Sequence, residues 1–205
     1  ERIGDVEGEI RRAREGIGVF DISPTGKLDL KGTGIAAVLA RLCGEMAVPG
    51  LLKVAQIDIG GTTVALARLA EDQALALTLA GAMGDVSEAI SGAIAQESGC
   101  AHLVDATSTL AGLRLVGPRC RELLRTLTSA DLRDRAVPSE RCAQVGLANV
   151  PAIVLRRDIA GLQSYELYVT RDYGEYVWDA LFEAGRELGI APIGLRAWRA
   201  LSGEA

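Results

Sequence analysis

A few residues in this sequence have types and spacings that could do chemistry. Asp58 stands in Ile57-Asp58-Ile59, where alternation sets it on the polar side of a strand. It reads either as a solvated acid or as an acid in a pocket. Tyr165-Glu166-Leu167-Tyr168 alternates in the same way and puts Glu166 opposite the Tyr165 face. A carboxylate buried there needs a partner. Arg156 on the neighbouring strand is the expected one, in a structural ion pair. His102 and Asp105 are three apart, so on a strand they face opposite sides and do not pair simply.

Gly32-Thr33-Gly34 precedes a helical stretch and hints at an anion site through free backbone N–H groups. No third glycine follows at the dinucleotide spacing, and no Gly-Lys-Ser/Thr completes a phosphate loop, so a plain strand-to-helix turn is the expectation. Trp178 falls in an apolar stripe with Leu181 and Phe182 and reads as core. Trp198, between Arg196 and Arg199, reads as core or as an interface anchor. Cys120 and Cys142 have no nearby base in the sequence and read as small buried apolar groups.

Composition narrows the classes. The chain has 205 residues with a formal charge of −5, which argues against a nucleic-acid binder. The basic run Arg11-Arg12-Ala13-Arg14 sits among Glu7, Glu9 and Glu15 and reads as a solvated helix face. No apolar run reaches the roughly 18 residues of a membrane span, and no basic-then-apolar leader opens the sequence. Four widely spaced cysteines without a Cys-x-x-Cys pair fit reduced thiols and a cytoplasmic setting. A single histidine leaves no multi-histidine metal site, and no metal is expected. With 4% aromatic residues, the core must come from Ala, Leu, Val and Ile.

The elements that would position these residues alternate between strands and helices. An amphipathic helix is expected over 5–16, strands over 19–22 and 27–31, and a helix over 33–43. Two strands, 54–59 and 63–69, flank Gly60-Gly61, a hairpin signal. A strand over 73–79 and a helix capped by Asp85 and running to about 96 follow. The second half repeats the order: strands at 102–106 and 112–116, a helix opened by Gly117-Pro118, strands at 145–147, 152–156 and 165–170, a helix from Asp172 to Leu188, and a last helix over 193–201. Asp21, Leu28, Leu30, Gly32, Leu39 and Leu42 align with Asp105, Leu113, Leu115, Gly117, Leu124 and Leu127. Ala55-Gln56-Ile57 and Arg68 align with Ala143-Gln144-Val145 and Arg156, and Asp85, Glu88 and Ala93 with Asp172, Glu175 and Ala180. These blocks keep their order at offsets of 84 to 88. The expectation is an internally duplicated α+β fold, with pseudo-repeats over about 17–99 and 100–190 and a C-terminal helix over 191–205, all in one domain over 1–205.

Gly18-Val19-Phe20-Asp21-Ile22-Ser23 followed by Lys27-Leu28-Asp29-Leu30-Lys31-Gly32 resembles the opening of the glycine cleavage T-protein (aminomethyltransferase) family. Leu115-Val116-Gly117-Pro118-Arg119-Cys120-Arg121, and Tyr165-Glu166-Leu167 with Asp172–Ala180, Pro192 and Gly194-Leu195, resemble its second half. The resemblance covers essentially the whole chain. It implies the family's duplicated folate-binding domain, without the C-terminal barrel that T-proteins carry. In extent the chain is most similar to the γ subunit of heterotetrameric sarcosine oxidase, as are Asp131-Leu132, Val137-Pro138 and Leu147–Leu155. The departures bear on function. The family's acidic pair falls on Thr62-Thr63, its pterin-binding glutamate on Leu162, and an arginine near the domain's end on Trp198. The resemblance therefore implies a weak or vestigial tetrahydrofolate site, with Glu166, Tyr165, Trp198 and Arg196 as the residues that would face the cofactor. Asp58 is the candidate catalytic acid. Three readings follow: a non-catalytic accessory subunit packed against larger flavin- and folate-carrying oxidase chains, a minimal aminomethyltransferase, or a stand-alone folate-binding module. Self-association is the alternative partnership.

Overall fold

The structure, a computed structural model, describes residues 5–203. The expected C-terminal helix reaches 205, and its last two residues lie outside the described part. In chain order the first elements are α1 (Val6–Glu15), β1 (Ile17–Asp21), β2 (Gly26–Lys31), α2 (Ile35–Cys43), β3 (Val54–Ile59), β4 (Thr62–Ala70) and β5 (Gln73–Thr78). Then come α3 (Met83–Ala95), β6 (His102–Asp105), β7 (Leu110–Val116), α4 (Cys120–Leu127), β8 (Arg141–Leu147) and β9 (Val150–Arg156). The chain closes with β10 (Ser164–Thr170), α5 (Gly174–Ala184), β11 (Ile190–Pro192) and α6 (Leu195–Ser202). This is a mixed α+β architecture with two sheets.

The chain forms two compact units. The first takes the residues up to Ile22, Ala111–Ser139 and those from Gln144 onward; the second takes Ser23–Leu110 and Glu140–Ala143. These units are not the consecutive stretches 17–99 and 100–190. Six strands in the order β11-β1-β7-β10-β9-β8 make one sheet, and five in the order β3-β4-β5-β2-β6 make the other. The run β8-β9-β10-β7 in one sheet has the same sequence order as β3-β4-β5-β2 in the other. Each run then takes as its next strand the one that precedes the other run in the chain: β1 pairs with β7, and β6 pairs with β2.

Local chemistry sets the element ends. Asp5 caps α1 by accepting the Gly8 N–H at 3.0 Å, and Glu7 and Arg12 complement the helix dipole at its two ends. The β3–β4 hairpin turns on Gly60 and Gly61, both at positive φ (61° and 83°), as the two-glycine signal predicts. Each sheet also passes from a strand to a helix through one glycine at strongly positive φ. Gly32 (φ 130°) follows β2, and Gly117 (φ 141°) follows β7. A Cβ on Gly32 would collide with the Cys100 carbonyl, and one on Gly117 with the Gly16 and Ala13 carbonyls. Both positions therefore require glycine, for backbone angle and for space.

The aliphatic core is clearest in the second unit. Leu28, Leu30, Ile35, Val38, Leu39, Ile57, Val64, Leu66 and Ile90 pack there between sheet and helices. Three helix starts differ from the sequence expectation. Ala80–Ala82 forms a 3-10 turn, so α3 opens at Met83 with no side-chain cap, and Asp85 lies inside its first turn. Arg171–Tyr173 forms a 3-10 turn likewise, so α5 opens at Gly174 and ends at Ala184, with a separate 3-10 turn at Arg186–Leu188. Counted from these helix starts, Asp85 and Asp172 occupy different positions, and the third alignment block is out of register with the elements. Gly117-Pro118 precedes α4 and does not start it; the helix begins at Cys120.

Candidate functional site

The chemistry-bearing residues of the first unit gather on β10. Tyr165 and Glu166 are consecutive on an extended chain and point to opposite faces. Cross-strand partners share a face, and the register pairs Tyr165 with Arg156 on β9. Arg156 therefore belongs to the Tyr165 side and cannot serve Glu166. Its guanidinium lies 5.6 Å from the Tyr165 ring centroid, donates to Asp158 (3.0 and 2.8 Å) and to the Val137 carbonyl (2.9 Å), and pairs with Asp134. Burial pushes the Tyr165 hydroxyl up to about 12, and that hydroxyl has no hydrogen-bond partner.

The partners of Glu166 are Arg114, Arg157 and Tyr168. Arg157 is the next residue after Arg156, so the same alternation that turns Arg156 away turns Arg157 toward Glu166. Oε1 of Glu166 accepts from the Arg114 guanidinium and from Arg157 (Nε at 2.7 Å); Oε2 accepts from the Tyr168 hydroxyl at 2.6 Å. Glu166 is 1% exposed. Burial alone would raise its carboxyl, but the two guanidiniums and the Tyr168 hydroxyl outweigh that and hold it at about 2. Tyr168 is pushed well above the ordinary range by burial and by the carboxylate beside it. The sequence signal for Arg114 is its place inside the apolar run Leu113-Arg114-Leu115, where a cation must find an anion once buried.

Trp198 extends this cluster. It is 3% exposed, stacks on Phe20 (centroids 5.8 Å, interplanar angle 5°) and carries the Arg114 guanidinium 4.4 Å above its ring. Of the two readings of Trp198, the structure gives the core one. It packs with Ala13, Val116, Ile193, Ala197 and Leu201, and Leu162 packs against the same cluster from the turn closed by the Ile159–Leu162 bridge. Glu9 ties α1 to α6 by accepting the Gly194 N–H at 2.8 Å. Arg196, on the other side of α6, is exposed.

Asp58 belongs to the second unit. It is exposed on β3, and its Oδ1 accepts the Gly61 N–H at 3.0 Å, which braces the hairpin turn. Thr62 and Thr63 open the returning strand, Thr63 opposite Asp58. The Gly32-Thr33-Gly34 turn offers no open anion cradle: the Gly32 N–H donates to the Asp72 carbonyl and the Gly34 N–H to the Cys100 carbonyl, each at 2.9 Å. Trp178 is half-buried and packs on Phe182 with ring centroids 4.8 Å apart. Two surface hollows of about 320 and 530 Å³ lie in the first unit, lined by Glu122, Glu183, Arg186 and Leu188 and by Asp179, Phe182 and Ile190. Neither is lined by Glu166, Tyr165, Trp198 or Arg114. Among the described residues no group of three or more His, Cys, Asp or Glu side chains could hold a metal, and no helix is long and apolar enough to cross a membrane.

The fold is thus a mixed α+β one with two sheets, and the first unit holds a buried carboxylate between two arginines. The chain belongs to the GCVT N-terminal domain family, whose model matches residues 3–205. It is 30% identical to the 4-methylaminobutanoate oxidase (formaldehyde-forming) of Paenarthrobacter nicotinovorans, over 97% of this chain and 25% of that protein. The glycine cleavage system aminomethyltransferase T of Bartonella henselae has the same fold, with a TM-score of 0.78 at 17% identity over 96% of this chain and 53% of that one. A chain of the heterotetrameric sarcosine oxidase from Corynebacterium sp. U-96 also shares it, with a TM-score of 0.70 at 24% identity over 92% of this chain and 95% of that one. The chain spans little more than half the length, or less, of the curated relatives it matches.

Proposed function

We propose that this chain is a non-catalytic accessory part, of the γ type, in a sarcosine-oxidase-like amine oxidase assembly, and that its folate site is vestigial. One observation carries the reading. The two positions to which the family resemblance assigns a pterin-binding glutamate and an arginine hold Leu162 and Trp198, and both pack into one apolar cluster with Phe20. A pterin that brings N–H donors and ring acceptors to such a surface leaves them unpaired, at about 1–3 kcal/mol each.

The family is a folate-binding one, so tetrahydrofolate is the ligand against which these residues are judged, and they do not fit it. Glu166, whose partner Arg114 lies over the Trp198 ring, is buried and already held by Arg114, Arg157 and Tyr168. Asp58 is engaged with its own hairpin. The relatives that join this type of domain to an oxidase support a partnership with larger flavin- and folate-carrying chains. Four free cysteines support a reducing compartment, and we place the protein in the cytoplasm. We also infer that the two sheets descend from one duplicated unit. Their matching strand order, their paired glycine turns and the reciprocal placement of β1 and β6 support that origin.

Calorimetric titration of the full chain with folinic acid tests the reading. The expected result is no heat and no thermal shift up to millimolar ligand, together with recovery of a flavoprotein when the chain is used as bait. Binding at micromolar strength would overturn it. The minimal aminomethyltransferase would then be tested by one-carbon transfer, which Asp58→Asn should abolish.

A further inference from the structure

The chain contains one exposed thiol, and the only histidine touches it. Cys100 lies in the segment between α3 and β6, with its Sγ 3.3 Å from Nε2 of His102 on β6. Both residues are exposed. The other three thiols are in a different state. Cys43 is half-buried and donates to the Leu39 carbonyl at 3.0 Å, and burial raises its thiol. Cys142 is buried and pushed up to about 11; Cys120, fully buried, is pushed higher still.

The Cys100 backbone is also fixed. Its carbonyl accepts the Gly34 N–H at 2.9 Å, and Gly32 approaches so closely that no side chain fits between them. His102 is held from the other side, paired with Lys31 across the β2–β6 ladder. Thiol and imidazole are thus set against each other by a glycine turn and a strand pairing, the arrangement a nucleophile and its base require. None of the residues in the proposed function takes part.

We propose that Cys100 and His102 form a nucleophile–base pair that makes Cys100 a site of reversible modification by small disulfides. With the imidazole proton on Nδ1, Nε2 takes the thiol proton as Sγ attacks one sulfur of the disulfide. The disulfide S–S bond breaks, a new S–S bond forms to Cys100, and the departing thiolate takes up the proton. The Cys100 sulfur rises to the disulfide level as the departing sulfur falls to the thiol level, the other sulfur of the probe stays in the new mixed disulfide, and excess free thiol reverses the exchange.

The test uses the full chain and two disulfide probes. In native protein, 5,5′-dithiobis(2-nitrobenzoic acid) should react first at Cys100, located by peptide mass mapping, and Cys100→Ser should remove that fast phase. His102→Gln should slow it by about tenfold or more, while the same two proteins unfolded in urea react alike. With oxidised glutathione, a mixed disulfide should form at Cys100 and be removed by excess thiol. A first label on another cysteine, an unchanged native rate in His102→Gln, or no glutathione adduct would each overturn the proposal.

Discussion

The two sheets place different chemistry at matching positions. Three residues before its turn glycine, β2 carries Asp29 and β7 carries Arg114. The third residue of β5 is Leu75, and the third of β10 is Glu166. In the second unit Asp29 stays partly exposed, accepts from Gln73 at 2.9 Å and lies 3.1 Å from the surface Lys31, while Leu75 joins the buried apolar residues. In the first unit both positions are charged and buried, and a second arginine and a tyrosine complete the group. The same frame can therefore be closed by aliphatic packing or by an internal ion cluster. An internal ion cluster gives little net stability compared with apolar packing, but it is unforgiving once one member is removed.

That asymmetry yields the largest expected effect. Glu166→Gln removes the carboxylate shared by the buried Arg114 and the half-buried Arg157 and should cost roughly 3–5 kcal/mol in urea unfolding. Asp29→Asn, at the partly exposed counterpart site, should cost less than about 1 kcal/mol. If the two substitutions proved equal, the buried cluster would not distinguish the units. The same group sharpens the contrast through pH. A free glutamate titrates near 4.5, whereas Glu166 in the fold is held at about 2. Its contribution is complete above 4.5 and is lost as the pH falls toward 2. Urea midpoints of the wild type should fall across that window, and those of Glu166→Gln should fall less.

The turn glycines make the opposite prediction, that the units behave alike. Gly32→Ala and Gly117→Ala each force a Cβ into a backbone carbonyl at a φ that side chains rarely adopt. Each should destabilise by about 1–3 kcal/mol or more, measured by thermal and urea unfolding. A large loss at one and none at the other would break the structural parallel on which the inferred duplication rests.

Much of this organisation was legible in the residues. Period-two runs located β2 and β10, and two apolar runs around a glycine pair located the β3–β4 hairpin, because those signals are local. Glu166 was legible as a carboxylate that must be paired, but its partners were not. Arg156 and Arg157 are adjacent in the chain and face opposite ways, so only the β9–β10 register decides which one meets Glu166. Arg114 is 52 residues away from Glu166 in sequence, and no local pattern joins them. The helix starts at Met83 and Gly174 shifted because a 3-10 turn precedes each, a detail that the aspartates at 85 and 172 do not encode.

A small effect is expected at Asp58, where the aliphatic unit presents its one candidate acid. Its carboxylate accepts a single backbone N–H in an exposed hairpin turn. Asp58→Ala should therefore cost only about 1 kcal/mol of stability. If Asp58 braces the turn and nothing more, Asp58→Asn, whose side-chain oxygen can still accept the Gly61 N–H, should recover most of that loss. Hydrogen exchange at the Gly61 amide gives the direct readout: faster in Asp58→Ala and near wild type in Asp58→Asn. An Asp58→Asn variant that kept its fold and hairpin protection but lost a one-carbon transfer activity would return Asp58 to chemistry. The functional contrast between the two units would then be reversed, with the reacting acid in the aliphatic unit and the ion cluster of the other reduced to packing.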